Sequence, residues 1–279
     1  MQAEQNRVEA LDSLDAATQS ALGQFFTPAR AAALIASVPR LPESGLLRLL
    51  DPGAGSGMLS AALVARVLAE RVALSVHVVA VERDHLVTPY LRKTLEACSS
   101  AGSGRVTFDI VEDDFIMRAT GLGADPRLAG HDLVIQNPPY AKLAVSSEHR
   151  VAIRNSGVDT PNLYAAFLAL GAAALKPEGQ LVAITPRSFC NGPYFGAFRS
   201  YLLDHITLDR VHVFESRSTV FAETGVLQEN VIFSGTRQCI QGSVTLSVSI
   251  GHEDEITQRA VEYSDVVHPD DPHRFIRIA

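Results

Sequence analysis

Apolar positions along this chain come in two alternating spacings. Compact runs of strand length occur in LLRLLD, VHVVAVERD, RVTFDIVEDDF, DLVIQNPPY, QLVAITPRSF, ITLDRVHVFES and NVIFSGTR. Between them lie longer stretches with apolar residues three and four apart, among them LSAALVARVLAERV, HLVTPYLRKTLEACSS, PNLYAAFLALGAAALK and YFGAFRSYLLDH. Short apolar runs interleaved with helical periods predict an α/β fold with a seven-stranded, mostly parallel sheet and helices on both faces. Residues 1–22 read as a helical lead-in, residues 23–238 as one domain, and residues 239–279 as a C-terminal extension. In that extension VTLSVSI offers one more strand, and the tail DVVHPDDPHRFIRIA has no evident partner. Residues 141–160 lack a period and read as a mobile loop.

The polar residues are most informative where the strands stop. Leu133-Val134-Ile135 runs into Asn137-Pro138-Pro139-Tyr140. A proline donates no backbone hydrogen bond and restricts the residue before it, so the strand ends there with an amide, a carbonyl and a ring held stiffly. The first strand ends in Asp51 and the glycine-rich turn Pro52-Gly53-Ala54-Gly55-Ser56-Gly57. Glycines at such a turn let the backbone bend sharply and approach a ligand closely, although a tight turn without a ligand is the plainer alternative. A P-loop would need a lysine after the last glycine, and a hydrolase elbow would need Gly-x-Ser-x-Gly; neither spacing is present. A nucleotide-like ligand remains. Glu82, ending the second strand, can accept from ribose hydroxyls. Asp114 and Phe115, ending the third, pair a carboxylate with a ring and suit an adenine amine and its face. Singly each acid reads as a solvated strand-end charge; at successive strand ends they fall in the crevice where open α/β sheets bind ligands.

Charge and composition narrow the field. The 279 residues carry a net charge of −7, and 47% of them are apolar. For an acidic chain without a basic stripe, either nucleic acid is not the substrate or part of the binding surface lies elsewhere. Three separated cysteines and nine scattered histidines show no zinc-ligand or HExxH spacing, so no metal is expected and a reducing compartment is. No apolar run is long enough to span a membrane, and the polar N-terminus is unlike a secretory signal.

DPGAGSG, VERD, EDDF and NPPY, in that order, resemble the motifs of Rossmann-like S-adenosylmethionine-dependent methyltransferases. With GQFFTP upstream, the chain resembles the amino-methylating DNA methyltransferases of gamma motif order, of the restriction–modification type, over approximately residues 20–237. The resemblance implies that Thr27, Asp51, Gly53, Ala54, Gly55, Glu82, Asp114, Phe115 and Asn137 hold S-adenosylmethionine. It also implies that the Asn137 side chain and the Pro138 carbonyl accept the two hydrogens of a target amine, with Pro139 stiffening the lip and Tyr140 stacking on the base. Phe221 lies where related enzymes place a second ring, with packing under its own loop as the alternative. Asn191, Tyr194 and Arg199 follow the fifth strand, where they could line a substrate cleft, but ordinary surface roles are the plainer reading; Cys190 reads as a small buried hydrophobe.

The resulting expectation is a bacterial, cytoplasmic adenine-N6 DNA methyltransferase acting on double-stranded DNA with a flipped adenine. A cognate restriction endonuclease or a specificity subunit is a potential partner, and the C-terminal extension a potential start of a target-recognition region. Cytosine-N4 methylation uses the same geometry, and protein glutamine N5-methyltransferases acting on release factors also carry NPPY; GQFFTP argues against the latter.

Overall fold

The computed structural model describes residues 2–14, 26–215, 229–252 and 254–278. Five parallel strands lie side by side in the order β3 (Val106–Val111), β2 (Ala73–Val81), β1 (Ser44–Pro52), β4 (His131–Gln136) and β5 (Leu175–Pro186). Next to β5 comes β7 (Asn230–Arg237), antiparallel to both β5 and β6 (Ile206–Phe214). Two further strands widen the sheet beyond the expected seven: β8 (Ser243–Ser249), parallel to β6, and β9 (Thr257–Glu262), antiparallel at the edge. β9 stays hidden in the sequence because TQRAVE is polar and almost wholly exposed, so it has no alternation to detect.

Alternation within the central strands sorts two cores. Leu47, Leu49, Val76, Val78, Leu133, Ile135, Val182 and Ile184 pack on one face with α2 (Ala29–Ser37), α3 (Met58–Glu70) and α4 (Thr88–Gly102). Leu50, Val79, Val134, Leu181 and Ala183 pack on the other with α7 (Leu163–Ala174) and α8 (Gly196–His205). The sequence LYAAFLALGAAA makes α7 apolar all round, as a helix buried on nearly every side requires. Its small residues let it lie close to β4: a β-carbon on Gly171 would sit 2.8 Å from Gln136 Nε2.

Two segments differ from their sequence reading. Residues 148–155 of the expected loop form a helix, α6 (Glu148–Asn155), started by Ser147, whose side chain accepts from the Arg150 N–H. Only Ile153 is buried on it, too little for a period to stand out. The first helix, α1 (Gln2–Asp12), packs onto α4, with buried Asn6 Nδ2 donating to Thr94 Oγ1 at 2.9 Å. Ala10 of α1 meets Phe26 and Val87 in a small apolar cluster.

The tail, expected to lack a partner, docks onto the α8 side. The Ile276 N–H donates to the Cys190 carbonyl and the Arg277 N–H to that of Val266. Arg199, read as a surface residue, is 1% exposed and organises this junction. Its Nε donates to the His273 carbonyl, its Nη1 to those of Phe189 and Gly192, and its guanidinium lies 4.8 Å from the Phe275 ring centre. Cys190 is buried, as expected, and Tyr194 is exposed.

Replacing Arg199 removes three hydrogen bonds from a charged donor, each worth about 1–3 kcal/mol. Arg199→Ala is expected to lower unfolding stability by about 3 kcal/mol in urea titrations. A change below about 0.5 kcal/mol, the size of an ordinary surface substitution, would show that the tail is not anchored this way.

Candidate active site

Parallel pairing brings the C-terminal ends of β1, β2, β3 and β4 to one edge of the sheet, so Gly53–Gly57, Glu82, Asp114 and Asn137 converge there. Between them opens a cleft. Thr27, Gly53, Ala54, Gly55, Glu82, Asp114, Phe115, Asn137 and Pro139, all singled out in the sequence, line it together. Asp51, Pro138 and Tyr140 are not among its lining residues, and Phe221 lies outside the described residues.

The glycine turn meets its neighbours closely. Gly53 and Gly55 have φ of +69° and +55°, in the left-handed region. A β-carbon at Gly53 would sit 3.2 Å from the Phe167 ring, and one at Gly55 3.3 Å from the Phe26 ring. Any side chain there would narrow the cleft as well as strain the turn. Glu82 braces the turn from the next strand: its Oε2 accepts from the Gly55 N–H at 2.8 Å and its Oε1 from the Asp84 N–H at 2.9 Å. Burial pushes the Glu82 carboxyl above its ordinary value, against the pull of those N–H donors.

Asp114 is in the opposite state. It caps α5 (Phe115–Ala119), with Oδ1 accepting from the Met117 N–H at 3.1 Å. Its Oδ2 accepts from His149 Nε2 at 2.8 Å and from Arg83 Nη1 at 3.4 Å. Burial opposes its charge, but the hydrogen bonds from His149 and Met117 and the neighbouring positive charges hold it below the usual carboxylate range.

At the β4 end the Asn137 amide is fixed from both sides. Nδ2 donates to Thr27 Oγ1 at 3.1 Å, and Oδ1 accepts from the Tyr140 hydroxyl at 3.0 Å. The Tyr140 ring meets Tyr164 edge-on at 6.2 Å.

Several contributors escape a reading of motifs. Phe167 and Leu163 come from α7, where nothing separates a cleft residue from a core residue. Phe26 lies within GQFFTP, a motif that by itself points to Thr27 rather than to the ring beside it. Ser56, in the glycine turn, keeps its Oγ buried in the cleft wall without a hydrogen-bond partner among the described residues. A mostly apolar cleft lined by aromatic rings, acids and an orphan hydroxyl fits a nucleoside-bearing cofactor. Among the described residues no group of three His, Cys, Asp or Glu side chains could hold a metal.

Asp51 supplies a pH test. It is 1% exposed, accepts from Ser60 Oγ at 2.6 Å, and burial pushes its carboxyl up to about 7. A carboxyl whose folded value lies above its unfolded one binds more protons folded, so its contribution is full below about pH 4 and is lost as pH rises through 7. Asp51→Asn should therefore gain on the wild type by on the order of 3 kcal/mol in unfolding free energy between pH 4 and pH 8. A difference that stays constant across that range would mean Asp51 ionises normally.

Residues 107–221 match the family model for the Eco57I restriction-modification methylase. The Type II methyltransferase M.BsuBI of Bacillus subtilis is 36% identical over 268 residues, which are 93% of this chain and 53% of that protein. The Type II methyltransferase M.PstI of Providencia stuartii is 36% identical over 280 residues, covering 98% and 54%. The chain thus spans about half the length of these curated relatives. Among solved structures, the methyltransferase subunit of a type I restriction-modification system from Streptococcus thermophilus superposes with a TM-score of 0.67 at 19% identity, covering 91% of this chain and 58% of that one. A DrdV–DNA complex gives 0.65 at 14%, covering 98% and 33%. The fold is that of the class I S-adenosylmethionine-dependent methyltransferases. Kinship along nearly all of its length, on this fold, makes the chain a member of the gamma-type restriction–modification DNA methyltransferase family.

Proposed function

We propose that this chain carries the catalytic core of a site-specific DNA methyltransferase that transfers a methyl group from S-adenosylmethionine to the N6 amine of an adenine extruded from the duplex. The observation that carries this reading is the Asn137 amide, fixed between Thr27 and Tyr140 at the rim of the cleft.

In this reading Glu82 takes the ribose hydroxyls: each of its oxygens accepts one N–H and keeps a second lone pair. Asp114 takes the adenine amine of the cofactor, and Phe115 with Phe167, their ring centres 5.0 Å apart, forms the apolar wall beside it. Thr27, Gly53, Ala54 and Gly55 line the rest. Asp51 acts from behind, tied to Ser60 at the first turn of α3. The cofactor, when bound, supplies a methyl group made electrophilic by its sulfonium.

The chemistry left to the protein is modest. A nucleobase amine is a poor nucleophile because its lone pair is shared with the ring. In this reading Asn137 Oδ1, which accepts from the Tyr140 hydroxyl, also accepts one amine hydrogen, and the Pro138 carbonyl takes the second. Pulling both hydrogens out of the ring plane returns electron density to the nitrogen without a strong base. Preorganised acceptors of this kind are worth about 10²–10³ in rate each. Extruding the base costs a few kcal/mol, and stacking on an aromatic returns about 1–3 kcal/mol. Tyr140 gives one such face, and Phe221 is the candidate for the other.

The net charge of −7 supports a division of labour, in which duplex recognition draws on a region or subunit beyond the described residues. A cognate endonuclease is the natural companion of such an enzyme. Kinship to Type II methyltransferases favours a DNA amine over the glutamine of a release factor.

Incubation with labelled cofactor and duplex DNA, followed by nucleoside analysis, is expected to give N6-methyladenine. N4-methylcytosine would overturn the choice of base, and unlabelled DNA beside labelled protein or RNA would overturn the substrate. Asn137→Ala should cut transfer by about 10²-fold or more while cofactor affinity stays within about threefold of wild type. Transfer at near-normal rate would remove Asn137 from the mechanism.

A further inference from the structure

We propose that His149 is a positioning residue for the adenine end of the cofactor, fixing the Asp114 carboxylate that reads its exocyclic amine. This rests on the reading of Asp114 given above.

An aspartate carboxylate turns easily about its terminal torsion, which is broad and roughly two-fold. One that must accept a single amine hydrogen in a defined direction needs its plane set by other donors. Asp114 has three. The Met117 N–H takes one lone pair of Oδ1, which leaves the other for an amine. Oδ2 is occupied by His149 and Arg83, and the two contacts are unequal: 2.8 Å from His149 Nε2 against 3.4 Å from Arg83 Nη1. The shorter bond is of charge-assisted length and the longer one is marginal.

His149 is also the better anchored donor. It sits in the first turn of α6, whose start is fixed by the Ser147 cap and whose Arg150 pairs with Asp159 at 2.9 Å. Arg83 sits in the segment after β2 with its side chain substantially exposed. The charged groups acting on His149 are Asp114 from the start of α5, Arg83 from the β2 end, and Glu148 beside it on α6. His149 stays out of the cleft wall and acts through Asp114 alone. Without it, Oδ2 is left to Arg83, on the far side of a rotatable bond, and Oδ1 loses its aim.

Calorimetric binding separates this role from a merely structural one. The two ligands are S-adenosylhomocysteine and its hypoxanthine counterpart S-inosylhomocysteine, which presents a carbonyl where adenine presents an amine. Wild type is expected to prefer the adenine ligand by about 10-fold or more, the value of one hydrogen bond to a charged group. His149→Ala should lose most of that preference by weakening the adenine ligand alone, and His149→Gln, which places an amide N–H near the Nε2 position, should restore it. Thermal unfolding of both variants reports whether the fold is intact; the Gln variant carries the comparison if the Ala variant is unstable. A preference in His149→Ala equal to that of wild type, or a His149→Gln variant that folds and fails to discriminate, overturns the role of His149 and leaves the cofactor reading standing. Wild type binding neither ligand overturns the cofactor reading, and this inference with it.

Discussion

The cleft is organised around the side-chain amide of Asn137, whose two ends are spoken for by residues far apart in the chain. Thr27 accepts from its nitrogen and Tyr140 donates to its oxygen. With a hydroxyl bonded at each end, the amide is held by two bonds rather than one, nitrogen toward Thr27 and oxygen toward Tyr140. That orientation depends on the prolines at 138 and 139, which stop β4 at Gln136 and fix the path of the backbone between Asn137 and Tyr140. It also depends on the sheet order, since β4 lies between β1 and β5 and its end falls beside the glycine turn.

Three carboxylates near that edge share a chemistry and differ in state. Asp51 is buried under α3, bonded by the hydroxyl and the backbone N–H of Ser60, and burial pushes its carboxyl up to about 7. Glu82 is nearly as buried, with two backbone N–H donors partly offsetting desolvation. Asp114 sits at a helix start between a histidine and an arginine and ionises more readily than usual. Only the last two face the cleft. Environment, rather than residue type, divides the acids into one that packs and two that can receive a ligand.

The strands β1 to β7 and the line of polar residues at their ends could be read from the chain, because each apolar run ends abruptly in residues a strand cannot absorb. What escaped reading did so for physical reasons. β9 and α6 bury too little for their periods to show. Phe167 looks like every other apolar residue of α7, and its place beside Gly53 depends on how closely that helix lies on the sheet. Asp51 sits in the same motif as Gly53 and Gly55, yet its carboxyl turns toward Ser60, a choice no spacing encodes. Arg199 was misjudged because a lone arginine on a helix is normally solvated; here backbone carbonyls from two segments receive it.

The bond from Asn137 to Thr27 spans 110 residues. On a ribosome adding about 5–20 residues per second, the beginning of the chain therefore waits roughly 5–20 s for the residue that completes its wall of the cleft. Until β4 emerges, Phe26 and the helix ahead of it have no finished pocket to cover. Such long-range closure is slow and leaves apolar surface open to wrong company meanwhile. The nascent polypeptide thus acquires a competent ligand-binding edge late, through the meeting of its earliest residues with its middle.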